Sequence, residues 1–365
     1  MDYEILDRAR AGLERAQMIA ASSSSGQFIP LSIAAAGERR RPRWQQLLAD
    51  AVTDPAELCR ILGLDPASIP HATAAAATFP LRVPRSFVAR MRHGDRKDPL
   101  LLQVLPVAAE LDTVEGFVMD PVGDLASSAG PGLLHKYAGR ALVVATGACA
   151  VHCRYCFRRH FPYAEESALG GGWQSTIDRL RADDSIQEVI LSGGDPLSLS
   201  DRRLSQLTDA LQTLPHVRRL RIHTRYPVVL PERVDAGLVQ WLAALPLQKV
   251  VVIHANHASE LDASVEEACQ ALAAAGATLL NQSVLLAGVN DCVDTLTELS
   301  ERLFNMRVLP YYLHVLDRVQ GAAHFEVDEA RARQLHTALI ARLPGYLVPK
   351  LVREIAGEAS KTPLV

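Results

Sequence analysis

Three cysteines in one short stretch carry the strongest chemical signal in the sequence. Cys149, Cys153 and Cys156 follow a C-x3-C-x2-C spacing, and the apolar run 141–146 before them predicts a buried strand. The cysteines are therefore expected on the loop at the C-terminal end of that strand. Thiolates select iron–sulfur clusters or zinc. Three of them can bind three irons of a [4Fe–4S] cluster and leave the fourth iron open. The alternatives are buried thiols or a zinc knuckle, although structural zinc normally takes four ligands.

The residues around the cysteines resemble the cluster loop of radical S-adenosylmethionine (SAM) enzymes. Tyr155, an aromatic residue directly before the third cysteine, belongs to this pattern. The resemblance implies that SAM chelates the open iron through its amino and carboxylate groups. A strand followed by a loop is also the structural context that makes such a motif specific.

The composition is that of an ordinary globular protein. The chain has 365 residues, enough for one large domain with an appendage or for two domains, and 48% of them are hydrophobic. The formal net charge of −3 argues against nucleic acid as an obligatory partner. No apolar run reaches the length of a membrane span, and the N-terminus lacks the layout of a signal peptide. Six cysteines, three of them clustered, indicate a reducing compartment, so we expect a cytoplasmic protein.

Four regions are predicted along the chain. They are an extension that is in part a flexible linker, a mainly helical region, a core and a C-terminal segment, at residues 1–43, 44–130, 131–345 and 346–365. Low-complexity sequence at 21–26 marks the linker. In the helical region, Asp54, Pro55 and Glu57 have the arrangement of a helix start.

Short β-branched runs alternate with segments of helical length across the core. The predicted strands are 141–146, 188–193, 219–224, 249–255, 278–285 and 309–316, and the predicted helices lie near 173–183, 200–213, 233–244, 260–275, 293–305 and 326–342. Consecutive βα units predict a parallel sheet, either doubly wound or curved into a barrel. Polar residues follow several of these strands, and barrels carry their chemistry at the C-terminal ends of the strands. We therefore expect an α/β fold, a partial (β/α)6 barrel of the radical SAM type.

Eight short stretches of the sequence resemble motifs of one known protein family. They are residues 83–87, 131–137, 153–163, 192–197, 280–286, 309–317, 320–325 and 345–351. Together they resemble the lysine 2,3-aminomutase family, and within it the branch that makes β-lysine for the modification of elongation factor P. Because the stretches recur in the family's order over roughly residues 44–365, they are more specific than any single motif.

The resemblance implies a reaction and three cofactors. Members of the family move an amino group from the α to the β carbon with a [4Fe–4S] cluster, SAM and pyridoxal 5′-phosphate (PLP). Lys361 matches the lysine that binds PLP covalently, and with the three cysteines it makes up the implied catalytic set. Taken alone, a lysine so near the end of the chain is more often a solvated tail residue. The positions implied for the PLP phosphate are Lys136, Tyr137, Arg140 and Arg225, which taken singly would be surface residues.

The family's SAM contacts and substrate contacts also have matching positions. SAM is implied to contact the turn formed by Ser192, Gly193, Gly194 and Asp195, with His254 beside it. Glycines allow a backbone to approach a ligand closely, although a Gly-Gly-Asp sequence by itself is more often only a turn.

Arg158 matches the residue that binds the substrate carboxylate. Asp291 and Glu354 match the two acids that hold the distal ammonium group of lysine, and two carboxylates there would repel glutamate. The alternative for Asp291 is a helix cap.

These matches imply L-lysine as substrate and (R)-β-lysine as product. The implied partners are a β-lysine ligase acting on elongation factor P, an electron donor such as flavodoxin or ferredoxin, and further copies of the chain in a homo-oligomer. Neither direct nucleic-acid binding nor a membrane is expected. One alternative is a lysine 2,3-aminomutase of a catabolic or biosynthetic pathway. A different class is a radical SAM enzyme without PLP, or an Fe–S binding protein.

Overall fold

A sheet of nine strands organises the computed structural model, which describes residues 41–69, 71–165 and 173–365. The strands are β1 Leu133–Tyr137, β2 Arg140–Thr146, β3 Glu188–Gly193, β4 Arg219–Thr224, β5 Gln248–Ile253, β6 Ala277–Val284, β7 Leu309–His314, β8 Lys350–Arg353 and β9 Thr362–Pro363. They lie side by side in chain order, and neighbours from β2 to β8 are parallel. The edge strands β1 and β9 each pair antiparallel with one neighbour and not with each other. The expected α/β fold with a partial barrel is confirmed.

Helices alternate with the strands of the core. Their bounds are α1 Arg43–Ala49, α2 Pro55–Ile61, α3 Ala72–Thr78, α4 Arg85–Val88, α5 Pro99–Leu102, α6 Gln174–Ala182, α7 Asp201–Gln212, α8 Tyr226–Val229, α9 Ala236–Ala244, α10 Ala263–Ala274, α11 Val293–Asn305 and α12 Glu329–Arg342. All six strands and all six helices predicted for the core are present, with ends within about three residues of the predicted ones.

The two faces of the sheet differ because successive side chains of a strand point to opposite faces. On one face, Val143, Leu191 and Ile222 are buried against helix residues such as Leu207 of α7. On the opposite face, the alternate positions of the same strands line a cavity. The apolar face thus forms the core, and the other face is left for a site.

The residues before β1 form short helices joined by turns, so the region predicted to be mainly helical is only partly helical. Asp54 begins α2 as predicted, because its carboxylate accepts hydrogen bonds from the N–H groups of Ala56 and Glu57. Among the described helices, none has the length and apolar character needed to cross a membrane. The predicted extension at residues 1–43 lies almost wholly outside the described residues. Pro42–Val365 form one compact unit, which contains the other three predicted regions.

Three strands lie outside the six that were predicted. β1 forms a hairpin with β2 through Gly139, whose φ of 73° favours glycine. In the predicted C-terminal segment, β8 extends the parallel sheet. β9 then pairs with β8, and the adjoining Leu364 is buried. The end of the chain is therefore fixed against the sheet.

Candidate active site

A cavity of about 760 Å³ follows the inner face of the sheet to the C-terminal ends of its strands. It is lined by all but one of the residues that the sequence analysis selected. Those on its wall are Lys136, Tyr137, Arg140, Cys149, Cys153, Cys156, Arg158, Ser192, Gly193, Gly194, Asp195, Arg225, His254, Glu354 and Lys361. The parallel strands bring residues from distant parts of the chain to one edge, as expected for this class of sheet.

The cysteine loop leaves the end of β2 and is held by buried charges. Arg154, between the second and third cysteines, is fully buried and ion-paired with Glu110, which also pairs with Arg159. The N–H of Arg154 donates to the Gln103 carbonyl at 2.9 Å. A buried ion pair of this kind fixes the backbone to which the cysteines belong.

The three cysteines are free thiols on the cavity wall. Burial raises the pKa of Cys149 well above its ordinary value, and it raises the pKa of Cys156 to about 11. In the described part of the chain, no three His, Cys, Asp or Glu side chains converge enough to hold one metal ion. A [4Fe–4S] cluster does not need such convergence, because each cysteine binds a different iron, and each thiol releases its proton when it binds. The donor set therefore fits a cluster.

The turn after β3 packs directly on the cysteine loop. The N–H groups of Gly194 and Asp195 donate to the carbonyls of Thr146 and Ala148 at 2.7 and 2.8 Å. A Cβ on Gly194 would lie 2.5 Å from the Ala148 carbonyl oxygen. The glycine is thus required for close approach to the chain's own backbone.

Asp195 ties the ends of three strands together. Its carboxylate accepts hydrogen bonds from the Thr224 hydroxyl at 2.7 Å and from the Arg225 N–H at 2.6 Å. Burial raises its pKa to about 6, although these hydrogen bonds oppose the rise. Both carboxylate oxygens of Asp195 therefore already accept hydrogen bonds from groups of the protein.

Arg225 lies at the cysteine loop and not at the expected phosphate site. Its Nη1 is 2.8 Å from Cys153 Sγ, and its Nη2 donates to Gln103 at 2.6 Å and to Glu260 at 2.9 Å. Lys136, Tyr137 and Arg140 make no contact with any of these three partners. The structure therefore does not group Arg225 with these three residues, although all four line the same cavity, and its role at the phosphate stays a prediction.

At the other end of the cavity, Lys361 forms an ion pair with Glu354. The Lys361 ammonium lies 2.7 Å from Glu354 Oε2, and the Tyr137 hydroxyl donates to Oε1. Burial alone would raise the pKa of Glu354, but Lys361, Tyr137 and Lys136 outweigh it and hold the pKa below its ordinary value. Only 25% of the Lys361 side chain is exposed. Lys361 is therefore a cavity residue and not a solvated tail lysine.

The β1–β2 hairpin carries the remaining phosphate candidates. The Arg140 guanidinium lies 4.5 Å from the Tyr137 ring centroid, and its Nε is buried without a hydrogen-bond partner in the structure. Lys136 lies 2.7 Å from Asp124 and 3.8 Å from Glu354. Positive charge and an unpaired N–H donor at one place are features that suit a phosphate group.

Asp124 links the two ends of the cavity and was missed by the sequence analysis. Its carboxylate accepts from Arg158 Nε at 2.6 Å and from Lys136 at 2.7 Å. Burial would raise its pKa, but Arg158 and Lys136 together lower it below the ordinary value. Arg158 also donates to the Ser192 hydroxyl at 3.1 Å. No motif marked Asp124, because it lies in an irregular segment before β1.

Asp317 is a second acid that the sequence analysis missed. It lines the cavity just after β7, and no described residue forms a hydrogen bond or ion pair with its carboxylate. Burial raises its pKa to about 7, although Lys361 opposes the rise. Its position after a strand, in one of the eight resembling stretches, was a signal that could have identified it.

Three histidines on the sheet's inner side add neutral polar groups to the cavity. His223, His254 and His314 all line it, and burial lowers the pKa of each, that of His254 to about 3. The Nε2 atoms of His223 and His314 are buried without a partner in the structure. Of the three, only His254 was predicted.

Asp291 is the predicted site residue that does not line the cavity. It precedes α11, and its carbonyl accepts a hydrogen bond from Arg331 at 3.5 Å. The residue at the N-cap position of α11 is Cys292, and no side chain caps this helix. Asp291 therefore does not cap α11, and its role as a ligand of the distal ammonium stays a prediction.

The chain is similar to several curated proteins. A protein of Escherichia coli K12 described as L-lysine 2,3-aminomutase is 50% identical over 325 residues, which are 89% of this chain and 95% of the relative. A Haemophilus influenzae protein of the same description is 47% identical over 89% of this chain and 96% of its own length. One from Clostridium subterminale is 38% identical over 74% of this chain and 65% of its own. No protein-family model matches the chain.

Similarity to solved structures is much weaker. The structure of anSMEcpe with bound AdoMet has a TM-score of 0.40 and 11% identity, covering 55% of this chain and 58% of that one. A radical SAM methyltransferase from Sphaerobacter thermophilus has a TM-score of 0.45 and 17% identity, covering 60% and 68%. At these scores the similarities carry no argument about this chain.

The contact between Gly194 and the cysteine loop gives the first prediction. Gly194→Ala should lower the free energy of unfolding by about 1–3 kcal/mol, because the added Cβ forces the loop backbone away. It should also reduce the iron bound after anaerobic reconstitution. Urea denaturation and iron analysis measure the two effects.

Gly345→Ala is the matched control, since a Cβ at Gly345 meets nothing within 4 Å. This variant should keep the stability and the iron content of the unsubstituted protein. Full iron content and unchanged stability in Gly194→Ala would contradict the role given to the contact.

Proposed function

The chain belongs to the lysine 2,3-aminomutase family of radical SAM isomerases, and on this basis we propose that it converts L-α-lysine to (R)-β-lysine with PLP as a further cofactor. The observation that carries the proposal is the shared cavity, which has three cysteines at one end and the partly buried Lys361–Glu354 pair at the other. One lysine molecule between the two ends would face both.

The residues at each end fit the proposed cofactors. When bound, the cluster and SAM would supply the radical that removes hydrogen, and PLP would supply the conjugated ring that stabilises the substrate radical while the amino group moves from the α to the β carbon. Glu354 stays ionised and holds the ammonium group of Lys361 within the cavity. Arg140, with its unpaired Nε, supplies positive charge for a phosphate beside Lys136 and Tyr137. The short distance between these groups along one hairpin supports a common ligand.

Arg158 is the proposed ligand of the substrate carboxylate. Its Nε and Nη1 are engaged by Asp124 and Ser192, and no described residue accepts a hydrogen bond from its Nη2. Because Asp124 and Ser192 fix the guanidinium plane, the free N–H groups have a set direction. They lie near Cys156, so a carboxylate bound there would bring the α and β carbons towards the cluster end.

Asp317 is the proposed ligand of the distal ammonium. Glu354 is already neutralised by Lys361, and Asp291 lies outside the cavity. Asp317 is the one carboxylate on the described cavity wall that has no partner. A substrate ammonium group bound there would form an ion pair with a carboxylate that no described residue neutralises.

We also propose that the product serves the modification of elongation factor P in the cytoplasm. The chain is 50% identical to its Escherichia coli relative and 38% identical to the clostridial one, and the eight resembling stretches favour the elongation factor P branch. A β-lysine ligase, a flavodoxin or ferredoxin as electron donor, and a homo-oligomeric assembly belong to the same proposal.

The central test is anaerobic incubation of the reconstituted protein with lysine, SAM, PLP and dithionite, followed by chiral analysis. We expect (R)-β-lysine, and Lys361→Ala should abolish it together with the PLP absorbance. A protein with an intact cluster that forms no β-lysine would contradict the aminomutase activity, and a wild type that binds no PLP would favour a PLP-independent enzyme.

A deletion strain tests the physiological role. Unmodified elongation factor P should accumulate in it if the proposed role is correct, and should not accumulate if the enzyme serves a catabolic or biosynthetic pathway.

The Asp317 assignment predicts a loss of lysine binding. Asp317→Asn should raise KM for lysine about 10- to 100-fold, because a charge-assisted hydrogen bond contributes about 1.5–3 kcal/mol. The control substrate is 2-aminohexanoate, which has the same chain length but no distal ammonium, and the variant should bind it as the wild type does. An unchanged KM for lysine, or a loss of PLP absorbance, would show that Asp317 serves another purpose.

The pKa of Asp317 predicts a pH dependence of lysine binding. Because its pKa is raised to about 7, the carboxylate is ionised above that pH and protonated below it. Lys361, Glu354, Lys136 and Asp124 are the charged groups that act on it. KM for lysine should therefore rise as the pH falls through about 7, and this rise should be absent in Asp317→Asn. Steady-state kinetics between about pH 6 and 8.5 measure it.

A further inference from the structure

The guanidinium of Arg225 makes a direct contact with a cysteine of the cluster loop. Its Nη1 lies 2.8 Å from Cys153 Sγ, so an N–H donates to the sulfur. Only 6% of Arg225 is exposed, which makes it a buried cation beside a metal-binding thiol. Hydrogen bonds to cluster sulfurs are among the factors that set the reduction potential of an iron–sulfur centre.

Two buried residues hold Arg225 in this position. Its Nη2 donates to Glu260 Oε2 at 2.9 Å and to Gln103 Oε1 at 2.6 Å, and neither Glu260 nor Gln103 is exposed to solvent. The ion pair with Glu260 compensates the cost of burying the charge. Because both partners approach Nη2, Nη1 remains directed at the sulfur.

The partners of Arg225 are themselves fixed. Glu260 Oε1 accepts from the N–H groups of Asn256 and His257 at 2.8 and 3.0 Å, and from the Gln103 amide at 3.1 Å. The backbone of Arg225 is tied to Asp195. A network in which each member has several bonds gives the guanidinium little freedom to turn towards another ligand.

Arg225 nevertheless keeps one unused donor. Arg225 lines the cavity, and its Nε is buried without a hydrogen-bond partner in the structure. An unpaired buried N–H is costly, so the environment of this cation is not complete in the protein alone. A negatively charged group at the cysteine loop would complete it.

We infer that Arg225 tunes the cluster that Cys153 binds, by stabilising its reduced form, and that it is not a ligand of the PLP phosphate. The inference rests on the proposed iron–sulfur function of the three cysteines. Reduction adds one negative charge to the cluster, and a fixed cation with an N–H on the ligand sulfur stabilises the more negative state. Arg225 is in this sense a positioning residue that acts through Cys153, and Glu260 moderates its effect.

The test compares reduction potentials in the full chain after anaerobic reconstitution. Redox titrations followed by electron paramagnetic resonance, without substrate, are made for the wild type, Arg225→Gln, Arg225→Lys and Glu260→Gln. Arg225→Gln should shift the midpoint to a more negative potential, and Arg225→Lys should shift it less because the charge is kept. Glu260→Gln should shift it to a more positive potential, since the countercharge is lost. All three variants should keep the PLP absorbance.

Lys136→Gln is the matched control, because it removes a cation from the opposite end of the cavity. It should weaken PLP binding and leave the midpoint unchanged. Wild-type iron and sulfide content tests the cluster itself, so a failure of the proposed function is recognised separately. If Arg225→Gln binds no cluster, the opposite shifts of Arg225→Lys and Glu260→Gln still decide the question. Unchanged midpoints with intact clusters, or loss of PLP absorbance in Arg225→Gln, would overturn the inference.

Discussion

Burial of charged side chains in pairs is the constraint on which the cavity depends. Arg154 with Glu110, Arg158 with Asp124 and Arg225 with Glu260 are all almost fully enclosed. A buried charge is tolerated when it is paired and hydrogen-bonded, and removing one partner is strongly destabilising. Each pair joins the cysteine loop or the end of a strand to a segment distant in sequence. The ion pairs therefore hold the cysteine loop and the strand ends in place, and their own charges cancel.

The same constraint explains why the exceptions are informative. Among the described residues, Asp317 is a carboxylate without a hydrogen-bond or ion-pair partner, and Arg140 and Arg225 each keep an Nε without one. Most other charges on the described wall are paired, so these atoms mark candidate places for ligands. They occur at both ends of the cavity, which agrees with a substrate that is charged at both ends and with cofactors that approach from opposite sides.

The sequence predicts the strands and helices of the core and most of the residues that line the cavity. The alternation of strands and helices can be predicted because β-branched runs and helical segments differ in period. The predicted strand ends agree with the observed ones within a few residues. Lys361 and Glu354 were identified by resemblance, and their burial follows from β9, a strand too short to predict. The structure does not group Asp291 with the cavity residues or Arg225 with the phosphate candidates, because a position after a strand does not determine which way a side chain points.

What the sequence determined by itself is the chemistry available: three thiols at cluster spacing, a lysine near the end of the chain, and strands that carry polar residues to one edge. These are local properties, since spacing and period act over a few residues. The tertiary structure alone decided which charges neutralise one another, and so which remain for ligands. Glu260 is nowhere near Arg225 in sequence, and Asp124 lies in a segment without regular structure. Pairing of this kind depends on distance in space, and only the packed sheet and loops set that distance.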